Sequence, residues 1–189
     1  MRKLINATLA IAGLMLLLSS TAAAQKLPKS IYIQGQAMGQ STQMGQTFNV
    51  TVIIEEYSTA DDQKALVTAF TEKKNEGLVN ALSKMKSKGR ISITGTLGYD
   101  VSYIRKFPQP DGSTKIRLVT NRPITFGEAW SDSRSMDYNL SGLDIVINPN
   151  NKNNSGILAP ACQFKINKEN HIEMELRQNE WKLVNIRKR

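Results

Sequence analysis

The stretch RISITGTLGYDVSYIRKFPQPDGSTKIRLVTNRPITF, residues 90–126, decides the fold. β-branched residues crowd 90–96, the composition that suits a pleated, half-buried surface. Residues 99–107 then alternate, with Tyr99, Val101 and Tyr103 on one face and Asp100, Ser102 and Ile104 on the other. Pro108 to Gly112 supplies turn chemistry, because proline presets φ and an Asp-Gly pair accepts positive φ cheaply. Residues 114–120 return with Ile116 and Leu118 on one face and Lys115, Arg117 and Val119 on the other. The pattern predicts an antiparallel hairpin with a loop longer than two residues.

Strand signals continue on both sides. Before the hairpin, 30–34 is a short strand and 47–57 a strong one, with Phe48, Val50, Val52 and Ile54 in phase. The polar, glycine-rich 35–45 connects them. After it, Leu143, Ile145 and Ile147 share a phase, and Ile172, Met174 and Leu176 alternate with charges. Residues 156–167 read as a strand interrupted by Pro160, hence an edge strand or one carrying a bulge. A last strand covers 181–187. Helical spacing occurs between residues 58 and 89. Ser58-Thr59 offers an N-cap, followed by Asp61 and Asp62 at the positive end of the dipole. Leu66, Ala69 and Phe70 mark a first helix and Leu78, Ala81, Leu82 and Met85 a second, with a break near Gly77 and a stop at Gly89. The expectation is an α+β domain of about eight or nine mostly antiparallel strands, as a curved sheet, open barrel or sandwich. A helical pair is inserted after the second strand.

Residues 1–24 read as a secretory leader. Arg2-Lys3 precedes an apolar run, and Ala22-Ala23-Ala24 fits the small-residue cleavage rule. Cleavage after Ala24 leaves 25–189 as one β-rich domain, periplasmic or secreted, without an integral span. No cysteine sits just after the cleavage site, which excludes a lipoprotein anchor. The single Cys162 permits no internal disulfide, so packing must hold the domain together.

The chain has 25 basic and 16 acidic residues. Arg2 and Lys3 belong to the leader, so 23 basic residues remain and the net charge of the exported part is +7. The excess gathers at Lys88, Arg90, Arg105, Lys106, Lys115 and Arg117, the candidate anion-binding set. A second candidate is the irregular loop 127–139, GEAWSDSRSMDYN. There Trp130 is placed to stack on a ligand, and Asp137 and Tyr138 to orient it.

The motifs GTLGYD (95–100), Asp111-Gly112, TNRPITFGE (120–128) and Ser135-Met-Asp-Tyr138 resemble those of an uncharacterised family of exported bacterial proteins. Asn121 stands where that family's aspartate is expected and Asn139 where its proline is. The resemblance implies export and a shared fold, and no activity.

No nucleophile elbow, zinc-protease helix or phosphate loop occurs. One histidine, His171, and one cysteine make no zinc site, and no cofactor or metal is implied. The leading expectation is a non-enzymatic envelope or secreted protein that binds an apolar or amphipathic small molecule, or an envelope protein, but no nucleic acid. One alternative is a hydrolase-like enzyme using Glu128, Asp132 and Asp137. The other is an electrostatic binder of an anionic envelope polymer.

Overall fold

A computed structural model describes residues 30–125, 138–176 and 180–189. The expected leader and the carboxylates Glu128, Asp132 and Asp137, with Trp130, lie outside the described residues. Ten strands are present: β1 (Ile31–Met38), β2 (Thr47–Ile54), β3 (Gly89–Ile93), β4 (Tyr99–Val101), β5 (Tyr103–Pro108), β6 (Thr114–Thr120), β7 (Leu140–Ile147), β8 (Ser155–Ile166), β9 (Ile172–Glu175) and β10 (Trp181–Lys188). All pair antiparallel, in the order β4-β3-β2-β1-β10-β8-β7-β6-β5, with β9 on the far half of β8. The two ends of that order, β4 and β5, are separated in sequence only by Ser102. One bent run of chain therefore pairs with β3 before Ser102 and with β6 after it, and the sheet rolls into a nearly closed barrel.

The bend changes the expected phase. Tyr99 and Val101 point into the barrel, but Tyr103 joins a different core and Ile104 takes the inward position. An unbroken alternation across 99–107 would have placed Tyr103 inside. The slip at Ser102 moves it out. The exposed edge left at the seam is covered by residue 58: Ser58 N–H donates to the Ile104 carbonyl at 2.7 Å, and Ile104 N–H donates to Ser58 Oγ at 2.9 Å.

Inside the barrel, Trp181, Ile33, Ile54, Ile91, Ile93 and Ile116 are fully buried, with the Phe48 ring centred 5.5 Å from that of Trp181. A second core lies on the outer face of β6, β7 and β8. It joins Tyr103, Val119, Leu140, Cys162 and Phe164 to Ile172 and Met174 of β9 and to Leu66, Leu78 and Leu82. The far half of β8 and β9 curl over this face. Gly142 allows the approach, since a Cβ there would sit 2.1 Å from Met174 Sδ. Pro160 lies within the sheet and not on an edge strand. It sits at a bulge, where the β7–β8 register shifts between Leu140 and Gly142 and the Pro160 carbonyl accepts from Ile124 N–H and Ser141 Oγ.

The helical region is assigned as one element, α1 (Ala60–Lys84), that carries a kink between two helical stretches. Thr59 caps it reciprocally with Asp62, satisfying two end donors. Its backbone leaves helical geometry at Lys73 and Lys74, the latter with φ 51°. The break expected near Gly77 thus falls just before it, and Gly77 permits close packing beyond the break: a Cβ there would fall 2.0 Å from the Ala69 carbonyl oxygen. In an unbroken helix those residues would lie about 12 Å apart, so the chain doubles back at the break. Asn75 then pairs with the β8 edge as a strand residue would, accepting from Phe164 N–H at 2.8 Å and donating to its carbonyl at 3.3 Å.

Gly89 does not end the helix, which stops at Lys84. It opens β3, where a Cβ would meet the Ile53 carbonyl oxygen at 2.2 Å. Gly89→Ala should therefore cost roughly 1–3 kcal/mol by overpacking, read as a lower urea midpoint at unchanged slope. An unaltered midpoint would show that β2 and β3 are not packed this closely.

Candidate functional site

The β5–β6 hairpin carries cations outward because alternation sends Ile116 and Leu118 into the barrel and leaves Lys115 and Arg117 on the other face. Arg105 lies directly opposite Arg117 across the strands. The β8–β9 turn stands over this row and brings Asn167, Glu169, His171 and Glu173. Together these elements line a cleft of about 530 Å³, with Phe107 in its wall and Arg105, Lys106, Lys115 and Arg117 supplying positive charge. Four of the six cations singled out from sequence thus converge.

Their duties differ. Arg117 is buried, and its fork is taken: Nε donates to Asp144 Oδ1 at 2.7 Å, Nη2 to Asp144 Oδ2 at 2.6 Å, and Nη1 to the Ile172 carbonyl. Asp144 is the residue opposite Arg117 on β7, so the pair ties β6, β7 and β9 together. Lys115 Nζ reaches the same carboxylate at 2.9 Å but stays partly exposed. Arg105 is half-buried and donates to the Thr59 carbonyl at 3.3 Å. Lys106 Nζ sits 4.2 Å from the centroid of the Tyr57 ring. The cleft's outward charge therefore comes from Arg105 and Lys115, with Arg117 as their scaffold, while Lys106 takes the opposite phase beside Ile116. His171 meets the Phe107 ring edge-on at 5.0 Å, and its Nδ1 lies 3.4 Å from Glu169 Oε2.

The remaining two cations lie elsewhere. Lys88 is almost fully buried, and its Nζ is 3.2 Å from both Glu56 Oε1 and Asp62 Oδ2. It welds the helix N-terminus to the seam, where Lys88 N–H also donates to the Val101 carbonyl at 2.8 Å. Burial pulls the Lys88 ammonium down, but its bonds to Glu56 and Asp62 outweigh that and hold it above its ordinary value. Arg90 pairs with exposed Asp100 at 3.3 Å and donates to the Leu97 carbonyl. Tyr138 is half-buried two residues before β7.

Cys162 and His171 are not brought together. Cys162 is in the second core, five strand positions before Asn167, whose N–H bonds the His171 carbonyl. That spacing is about 16 Å along β8. Burial, with Asp144 adding to it, pushes the Cys162 thiol far up, so no thiolate forms there at neutral pH. Among the described residues no group of three or more His, Cys, Asp or Glu is placed to hold a metal ion. No helix among them is long and apolar enough to cross a membrane.

No family model, curated protein or solved structure matches the chain.

Two outcomes follow for the cleft's foundations. Arg117→Met should cost roughly 3 kcal/mol by leaving Asp144 with Lys115 as its one cation, whereas Arg117→Met with Asp144→Leu should recover most of it. A double variant no better than the single would mean that the pair is not the tie. The second concerns Tyr103, whose hydroxyl is buried with no hydrogen-bond partner among the described residues. Burial raises its pKa to about 12, an effect the nearby Arg105 and Arg117 reduce only in part. A folded-state value above the unfolded one means full stability below pH 10 and progressive loss as pH rises from 10 towards 12. Tyr103→Phe should gain about 1 kcal/mol at neutral pH and flatten that alkaline loss. Thermal melts at pH 7 and pH 11 check both.

Proposed function

We propose that this is an exported, non-enzymatic binding protein, related to the family it resembles, that takes an anionic ligand at the β5–β6 cleft. Of the three expectations from sequence, the electrostatic binder draws the most support. One observation carries it: cations from two strands, Arg105 and Lys115, share a cleft with Lys106, braced from behind by a fully committed Arg117. A preorganised scaffold holds these cations in place without ordering them at the moment of binding. The described barrel interior is filled by side chains such as Trp181 and Ile93, so the support lies on the outer surface rather than in an apolar cavity. The leader-like residues 1–24 support export, and an anionic polymer of the envelope is the ligand class that location offers.

Binding of inorganic polyphosphate, followed by calorimetry at rising salt, tests this reading. Affinity should fall steeply with ionic strength, and Arg105→Glu or Lys115→Gln should weaken it about tenfold at low salt. Affinity indifferent to salt and to both substitutions would defeat the proposal.

A further inference from the structure

The outer face of β2, β1 and β10 is the opposite case to the covered face under α1. Its middle is polar, with Gln34, Asn49, Asn185 and Arg187 exposed and Gln36 half-buried among them, flanked on β1 by exposed Tyr32 and Met38. The polar residues line a shallow groove of about 460 Å³ with Arg189, and no Asp or Glu takes part in that lining. The amides are linked in a row across three strands. Asn185 Nδ2 donates to Gln36 Oε1 at 2.8 Å, and Gln36 Nε2 makes a longer approach to Asn49 Oδ1 at 3.5 Å.

The row is built rather than incidental. A bulge in the β1–β10 pairing falls between Gln34 and Gln36, where Asn185 adopts φ 53° and so turns its amide onto Gln36. Gly35 makes room for it, because a Cβ there would press Ile186 Cγ1 at 3.1 Å and the Val184 carbonyl at 3.2 Å. The asparagine-rich turn after β7 then braces the end of β10. Asn154 Nδ2 donates to the Ile186 carbonyl at 3.0 Å and Asn151 Nδ2 to the Lys188 carbonyl at 3.0 Å. The final residue is held too, by Arg189 N–H on the Tyr32 carbonyl at 2.8 Å. Arg187, directly across from Gln34, makes no ion pair among the described residues.

We infer that this groove is a second binding site, for an acidic polysaccharide whose uronate carboxylates pair with Arg187 and Arg189 and whose hydroxyls bond the amide row. Each amide offers both donors and an acceptor, which suits hydroxyls that need one of each. A guanidinium fork matches a carboxylate bidentately. The groove is open and shallow, which admits a chain rather than enclosing a small molecule. A single-stranded nucleic acid fits less well, since such sites stack successive bases on several aromatic rings, and only Tyr32 offers one beside this lining. The site uses strands that the β5–β6 cleft does not, so neither depends on the other.

Isothermal calorimetry with an oligogalacturonate and the purified protein tests it, beside a neutral maltooligosaccharide of equal length and a single-stranded oligonucleotide. The expected result is binding of the oligogalacturonate, weakened about tenfold or more by Gln36→Ala and by Arg187→Gln and unchanged by Arg105→Glu. Arg187→Gln, exposed at the end of β10, keeps the fold should Gln36→Ala disturb the sheet; urea midpoints identify either case. No binding of the oligogalacturonate, equal affinity for the neutral chain, tighter binding of the oligonucleotide, or Arg187→Gln binding as well as the unaltered protein would each overturn the assignment.

Discussion

Closure of the sheet at Ser102 is the constraint on which the other features depend. A rolled sheet must pair its first and last strands or leave their edges open, and an open edge invites pairing with other chains. Here one continuous run serves as both ends, because β4 completes β3 and β5 begins the pairing with β6. The cost is a phase slip, since no single alternation can serve two neighbours that approach from different directions. Ser58 and Lys88 occupy the resulting gap, the first with a pair of hydrogen bonds to Ile104 and the second with a bond to Val101. The start of α1 belongs to the same junction, because its capping residue Asp62 shares Lys88 with Glu56. Seam, helix start and ion pair are therefore one unit.

The slip also explains why there are two cores. Once Tyr103 faces outward, β5 presents Tyr103, Arg105 and Phe107 to the outside, and β6 adds Arg117 and Val119 beside them. A face mixing apolar groups with a guanidinium cannot be left bare or simply buried. The far half of β8, β9 and α1 cover its apolar part, while Asp144 and the Ile172 carbonyl satisfy Arg117 where the cover meets water. Burying a charge is tolerable only with such a complete set of partners. The basic cleft is thus the margin of the second core, and its position follows from where the cover ends.

What could be read from sequence was local. The capping box at Thr59, the Asp111-Gly112 turn with Gly112 at φ 79°, and the in-phase residues of β2 and β7 all depend on neighbours within a few positions. The slip at Ser102 was hidden, because it is imposed by two strands distant in sequence. Gly89 was misassigned for a related reason: a glycine after a helical pattern resembles a cap, and the approach of β2 that demands it is not local. Trp181 was passed over as ordinary strand sequence, although Trp181 and Leu183 in alternation signalled a core position. Arg117 looked like free charge. The clue to its partner was Asp144, the one charge on 140–147, but only the register shows the two to be opposite.

The barrel's outer surface is divided by chemistry, and that division limits how the protein can recognise anything. A nearly closed barrel leaves little edge for strand addition, and the described interior is occupied by Trp181 and the isoleucines around it. On the proposed binding reading, recognition would then fall to outward-facing side chains. On β5 to β8 these are largely claimed by the second core, leaving the cations at its margin. On β2, β1 and β10 the middle of the outward face carries amides and arginines instead, between Tyr32 and Met38, a pattern that would be wasteful beneath a cover because every amide buried there would need its own partners. Exposed, the same residues keep the face soluble and hold hydrogen-bonding groups in fixed register across three strands. Such a row repeats at the strand spacing of about 4.8 Å, so it favours a ligand that is itself extended and bears polar groups along its length.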